Sequence, residues 1–114
     1  AIASSAPWDN IQVALDSANL RQYFDAEISG EELPPKPNPD VFLKAAAELG
    51  VSPEDSVVVE DSVAGLGGAL AAGMDCIAVT TTNPPEKLAE ADLIFDSLAE
   101  MSEKAFLDLT GWEV

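Results

Sequence analysis

Five residues carry the chemistry this sequence could perform: Ser4, Ser5, Lys36, Glu60 and Asp61. Ser4 and Ser5 follow a short apolar run, Ala1-Ile2-Ala3, and Glu60-Asp61 end the β-branched run that starts at Ser56. Hydroxyls and carboxylates therefore both stand where strands finish, at the carboxyl edge where open α/β sheets bind ligands. Lys36 lies in a polar, proline-interrupted loop, Gly30 to Asn38. A hard divalent cation such as Mg2+ takes one or two carboxylates and completes its shell with phosphate oxygens and water, which suits Glu60-Asp61. A lysine and a serine hydroxyl stabilise a transferring phosphoryl group, a reaction that depends mainly on positioning and charge neutralisation. Each residue also has an ordinary use. Asp61 or Ser62 can cap a helix, Ser4-Ser5 can close a turn, and Lys36 can be a solvated loop charge. Spacing alone supports an α/β ligand-binding domain and nothing narrower.

The elements that must position these residues follow from periodicity. Apolar runs alternate with helical patterns, the signal for an α/β domain with a parallel sheet flanked by helices. Ala1-Ile2-Ala3 reads as the tail of a strand, and Pro7 suits the first turn of a helix carrying Ile11 and Leu15, which Leu20 to Phe24 continues. Asp25 to Ser29 reads as a short edge strand. Asn38 is placed to cap the next helix with Pro39 in its first turn. There Phe42, Ala45, Ala46 and Leu49 form an apolar stripe, and Gly50 is the stop. Ser56 to Glu60 reads as a strand buried on both faces. Val63 to Ala72 is helical despite Gly65, Gly67 and Gly68, each costing roughly 1 kcal/mol relative to Ala, so close packing against the sheet is expected in return. Cys76 to Thr80 and Leu93 to Phe95 read as strands, Glu86 to Ala91 and Ser102 to Leu109 as helices.

Composition excludes several classes. With 5 basic against 21 acidic residues the formal charge is -16, which repels nucleic-acid backbones and anionic membranes. A phosphorylated ligand then needs a bound cation and a well-placed lysine to overturn that field locally. No apolar run approaches the roughly 18 residues of a membrane span. Cys76 is the single cysteine, which excludes an intrachain disulfide and points to a reducing, cytoplasmic setting.

Longer motifs sharpen the reading. Lys36-Pro37-Asn38-Pro39-Asp40-Val41-Phe42 resembles the third motif of haloacid-dehalogenase-like (HAD-like) phosphatases and mutases. Val57-Val58-Val59-Glu60-Asp61-Ser62, with Gly65, Ala72, Gly73 and Met74, resembles their fourth motif and the helix after it. Ala3-Ser4-Ser5 resembles the second, and Tyr23-Phe24-Asp25 the segment that precedes the third. The resemblance covers roughly residues 1–100 and is nearest to the β-phosphoglucomutase-like and phosphoglycolate-phosphatase-like enzymes. It implies an incomplete Rossmann-like sheet forming the carboxy-terminal portion of a core domain over residues 1–114. It also implies a Mg2+-dependent transfer on a small phosphorylated metabolite through an aspartyl-phosphate. Ser4 and the Ser5 amide would bind the phosphoryl group and Lys36 would neutralise it. Asp61 would ligate Mg2+, with Glu60 a second or water-mediated ligand.

The departure from the family pattern is equally specific. Its first motif, Asp-x-Asp-Gly-Thr, provides the nucleophile, and no Asp-x-Asp occurs in this sequence. The helical cap between the first and second motifs is absent too. The expectation is an isolated chain without turnover, whose strand at Ala1-Ile2-Ala3 lacks a neighbour. Either a segment preceding Ala1 or self-association would cover that open edge. A truncated binding or regulatory module is the competing reading. A phosphorelay receiver is disfavoured because Asp75 precedes a strand rather than following one.

Overall fold

The computed structural model describes residues 1–112, and strands and helices alternate along them. Strand β1 (Ile2–Ser4) leads through Pro7 into helix α1 (Trp8–Ser17), and β2 (Glu27–Ser29) returns beside β1. Helix α2 (Asp40–Leu49), strand β3 (Val57–Glu60), helix α3 (Val63–Ala71), strands β4 (Asp75–Val79) and β5 (Leu93–Phe95) and helix α4 (Glu103–Thr110) complete the order. Every pairing is parallel, in two ladders, β1-β2 and β3-β4-β5. This is the α/β architecture expected from the alternation of patterns.

Helices α2 and α3 bury one common face. Val41, Phe42, Ala45 and Ala46 of α2 meet Leu66 and Ala69 of α3 and Val58, Cys76 and Ala78 of the strands in one core. On β1, Ala3 packs against that core, while Ile2 and Ser4 face Ile11, Ala14 and Leu15 of α1 across an apolar groove. Helices thus flank the sheet on both faces. Leu88, fully buried, fastens the β4–β5 connection and stabilises it by about 1.5–3 kcal/mol.

The helix stops behave as their residue types dictate. Gly50 ends α2 at φ 71°, and Gly73 turns the chain at φ 76° into β4, a conformation that costs a residue with a Cβ about 1–2 kcal/mol. Several expectations are corrected. Asn38 does not cap α2: its Nδ2 donates to the Pro35 carbonyl at 2.8 Å, bracing the loop that carries Lys36, and α2 begins behind Pro39 without a side-chain cap. Helix α1 does not run on to Phe24, because Asn19 takes a positive φ of 55° and only a 3-10 turn, Arg21–Tyr23, follows. Glu86 to Ala91 is not a helix: only a single 3-10 turn, Pro85–Lys87, forms there, and Leu88 after it turns inward to full burial.

The strand β3 is not buried on both faces. Val58 is in the core, but Val59 is 41% exposed. The reason is an interruption of the sheet. Among the described residues β1 pairs only with β2 and β3 only with β4, so each keeps an unpaired edge. Between those edges lies a slot of about 150 Å3 lined by Ala3, Leu49, Val57, Val59 and Glu60. Leu49, the last member of the α2 stripe, is 39% exposed for the same reason.

Candidate active site

The carboxyl ends of β1 and β3 rim this slot, and the loop before α2 reaches across it. Lys36 donates from Nζ to the Ala3 carbonyl at 3.3 Å and to Glu60 Oε2 at 2.9 Å. One ammonium therefore ties β1 to β3 where no backbone hydrogen bond does. The Phe42 ring lies under it, 4.9 Å from Nζ to the centroid, and adds a cation–π contact. Lys36 and Glu60 are largely screened from solvent, with side chains 14% and 11% exposed, unlike an ordinary surface pair.

Glu60 is the hub of the β3 end. Its Oε1 accepts from the Asp61 amide at 3.1 Å, the Ser62 amide at 3.3 Å and the Ser62 hydroxyl at 3.2 Å. Of the two residues expected to cap α3, Ser62 does so, its Oγ accepting from the Gly65 amide at 2.9 Å. The glycine-rich face of α3 packs against this site rather than simply on the sheet. A Cβ at Gly65 would overlap Cγ, Cδ and Oε2 of Glu60, and one at Gly68 would stand 3.0 Å from Phe42 Cε2. The expected close packing is present, and its main beneficiary is the Glu60 carboxylate.

Asp61 takes a second set of partners beyond Glu60. Its Oδ2 accepts from the Thr82 hydroxyl at 2.5 Å, and its carbonyl accepts from Asn83 Nδ2 at 3.1 Å. The Thr82 bond is the main cause that holds the Asp61 carboxyl below its ordinary value, followed by the bond with Glu60 and, more weakly, by the charge of Lys36. Asp61 is thus a carboxylate at any ordinary pH.

The β1 end is built by a different set. Ser4 Oγ accepts from the Ala6 amide at 3.1 Å, and the Ser4 carbonyl accepts from the Gly30 amide at 2.7 Å. Ser29, opposite Ser4 in the register, donates from Oγ to the Ala6 carbonyl at 2.7 Å and pins the turn. Ser5 is exposed at the tip of that turn. The structure brings Lys36 and Glu60 into contact and sets Ser4 one residue beyond the carbonyl that Lys36 holds. It makes no direct contact between the Ser4 hydroxyl and Lys36, Glu60 or Asp61 among the described residues. Sequence reasoning missed Ser29, Thr82 and Asn83. Nothing in spacing marks them, since each enters only through strand register.

The donor set can be tested against a divalent cation. Both Glu60 oxygens are engaged by protein donors, whereas Asp61 Oδ1 accepts no hydrogen bond among the described residues. Asp61 therefore fits as a ligand, and Glu60 fits only as a neighbour acting through water. Among the described residues no three His, Cys, Asp or Glu side chains converge as a metal cage.

Parallel strands with a screened lysine, a carboxylate pair and a serine turn at their carboxyl ends make this an α/β protein whose polar groups gather at the edge where such sheets bind ligands. The profile of the haloacid dehalogenase-like hydrolases matches residues 1–73, and the chain belongs to that family. It is 35% identical over 101 residues to validoxylamine A 7'-phosphate phosphatase of Streptomyces hygroscopicus subsp. limoneus, covering 88% of this chain and 47% of that protein. It is 40% identical over 110 residues to hexitol phosphatase B of Escherichia coli (strain K12), covering 93% and 49%. Among solved structures, CbbY from Rhodobacter sphaeroides in complex with phosphate superposes with a TM-score of 0.83 at 34% identity, covering 93% of this chain and 49% of that one. A β-phosphoglucomutase from Clostridium difficile gives 0.82 at 25% identity, covering 90% and 45%. The chain spans about half the length of the curated relatives it matches.

Proposed function

We propose that residues 1–114 form the carboxy-terminal portion of the core domain of a Mg2+-dependent phosphatase or phosphomutase acting on a small phosphorylated metabolite, of the sugar phosphate or phosphoglycolate type. The observation that carries this reading is the placement of Lys36, whose Nζ bridges Ala3 on β1 and Glu60 on β3 over the open slot. In a molecule carrying -16 charges, an ammonium that ties β1 to β3 at a strand-end rim is also placed to draw an anion to that rim. The phosphate esters named for two relatives and the phosphate held by a third support the same ligand class.

Each residue then has a role. Ser4 and the Ser5 amide hold phosphoryl oxygens, and Ser29 fixes the turn that presents them. Lys36 neutralises charge on the transferring group, and Glu60 keeps Lys36 aimed and the Asp61 turn shaped. Asp61 would hold a divalent cation. Mg2+, when bound, supplies further neutralisation of the phosphoryl oxygens. The nucleophile is a carboxylate on a parallel strand from outside this chain, seated in the slot between β1 and β3. The geometry suits such a strand, because two parallel edges flank the gap.

The test is phosphate release from a panel of sugar phosphates and phosphoglycolate by the complete protein that carries these residues. Lys36→Ala is expected to lower kcat/KM at least about 100-fold, the scale of one oriented donor to a developing charge. Near-normal turnover in Lys36→Ala removes Lys36 from the site. Absence of turnover in the complete wild-type protein, with Mg2+ present, favours the alternative of a non-catalytic binding module.

A further inference from the structure

The segment after β4 is not spare loop. Strands β3 and β4 are parallel neighbours with Glu60 opposite Ala78, so the residues beyond Val79 run on beside the Glu60-Asp61-Ser62 turn. Thr82 and Asn83 close on Asp61 from there, one on the carboxylate and the other on the carbonyl. The hydroxyl bond of 2.5 Å is at the short end for a neutral donor on a carboxylate. Its consequence is asymmetric, because Oδ2 takes the Thr82 hydroxyl while no N–H or O–H of the described residues donates to Oδ1.

A carboxylate held in this way offers a cation one oxygen rather than two. Mg2+ requires compact octahedral geometry at about 2.0–2.1 Å, whereas Ca2+ accepts six to eight oxygens and takes carboxylates through both. We propose that Thr82 and Asn83 are positioning residues of the cation site, which present Asp61 to a divalent cation through Oδ1 alone and so favour Mg2+ over Ca2+. The proposal rests on the reading of Asp61 as a cation ligand. It extends to residues outside every motif quoted for the family resemblance. Partners of a ligating carboxylate that fix its orientation are worth about 10–100-fold in metal affinity.

The experiment titrates MgCl2 and CaCl2 separately, at constant ionic strength, into 15N-labelled protein and follows the Asp61 and Ser62 amides. Thr82→Val keeps the shape and removes the donor, and Thr82→Ser keeps the donor. Thr82→Val is expected to weaken Mg2+ about 10-fold and Ca2+ distinctly less, with Thr82→Ser close to wild type and the thermal midpoints of all three alike. Equal losses for the two ions, or Thr82→Ser as damaged as Thr82→Val, overturn the positioning role. Asp61→Asn separates this from the reading beneath it. Mg2+-dependent shifts that persist in Asp61→Asn refute the cation site and the proposal with it. Shifts lost in Asp61→Asn but unaltered in Thr82→Val refute the positioning role alone.

Discussion

Gly65→Ala is a small change with a large expected effect, and the structure fixes both its size and its cause. The added methyl overlaps the Glu60 side chain at three atoms, Cγ, Cδ and Oε2. The helix backbone cannot retreat without uncapping at Ser62, so Glu60 must swing out. That forfeits the 2.9 Å bond to Lys36 and the three bonds to Oε1. Bonds to a charged group contribute about 1.5–3 kcal/mol each when well made, and a displaced carboxylate recovers part of this by rehydration. Against the loss stands a gain of about 1 kcal/mol for alanine over glycine in a helix. The net cost is about 2–4 kcal/mol, or on the order of 10 °C in Tm for a domain of this size. Urea unfolding followed by circular dichroism measures it. The discriminating arm is a double-mutant cycle with Glu60→Ala, in which the overlap vanishes and Gly65→Ala turns stabilising by about 1 kcal/mol. Gly50→Ala is the control. Its site is open and its φ is 71°, so it should cost about 1 kcal/mol in either background. A Gly65→Ala penalty of the same sign and size in both backgrounds refutes the assignment of that glycine to the Glu60 carboxylate.

Other outcomes follow from single contacts. Ser62→Ala removes the α3 cap and one donor to Glu60, and should destabilise by about 1–2 kcal/mol in the same unfolding assay. Cys76 is fully inaccessible, and burial pushes its thiol up to about 12. Iodoacetamide labelling at pH 8 should therefore proceed only through opening and accelerate in step with urea; labelling at the rate of a free thiol in native buffer contradicts that burial. A raised thiol pKa adds stability that is intact below the unfolded value of about 8.5 and is lost as pH rises towards 12. The pH 7 to pH 10 loss of stability should accordingly shrink in Cys76→Ala, and an unchanged loss assigns it to other groups. Mg2+ binding by residues 1–114 alone should be weak, because one carboxylate is open; submicromolar affinity by calorimetry contradicts the incomplete ligand set.

Much of this arrangement was legible in the sequence, for identifiable reasons. The stripe of Phe42, Ala45 and Ala46 with a stop at Gly50 gives α2, because helical period and a left-handed terminator act locally. The apolar run ending at Glu60 gives β3, and the alternation of patterns gives a parallel sheet. Lys36 and Glu60 were legible as candidates. Their bond to each other was not, since residues 36 and 60 meet only through the packing of α2 and α3. Thr82 and Asn83 were not marked by the sequence because their partner is chosen by the β3–β4 register, which no local pattern encodes. Asn38 misled for the opposite reason. Its type and position fit a cap, but two flanking prolines shape the loop so that its amide serves the Pro35 carbonyl instead. Val59 and Leu49 failed as core residues because both line the slot between the unpaired edges of β1 and β3.

On the proposed function, Ser4, Ser5, Lys36 and Asp61 belong to one phosphate and cation site across the gap between β1 and β3. Inorganic phosphate titrated into 15N-labelled protein, with and without MgCl2, tests it most directly. The amides of Ser4, Ser5, Lys36 and Asp61 should shift together along one binding curve, tightened by Mg2+ and abolished in Lys36→Ala. Independent curves for these amides, or phosphate-dependent shifts that survive Lys36→Ala, would contradict it.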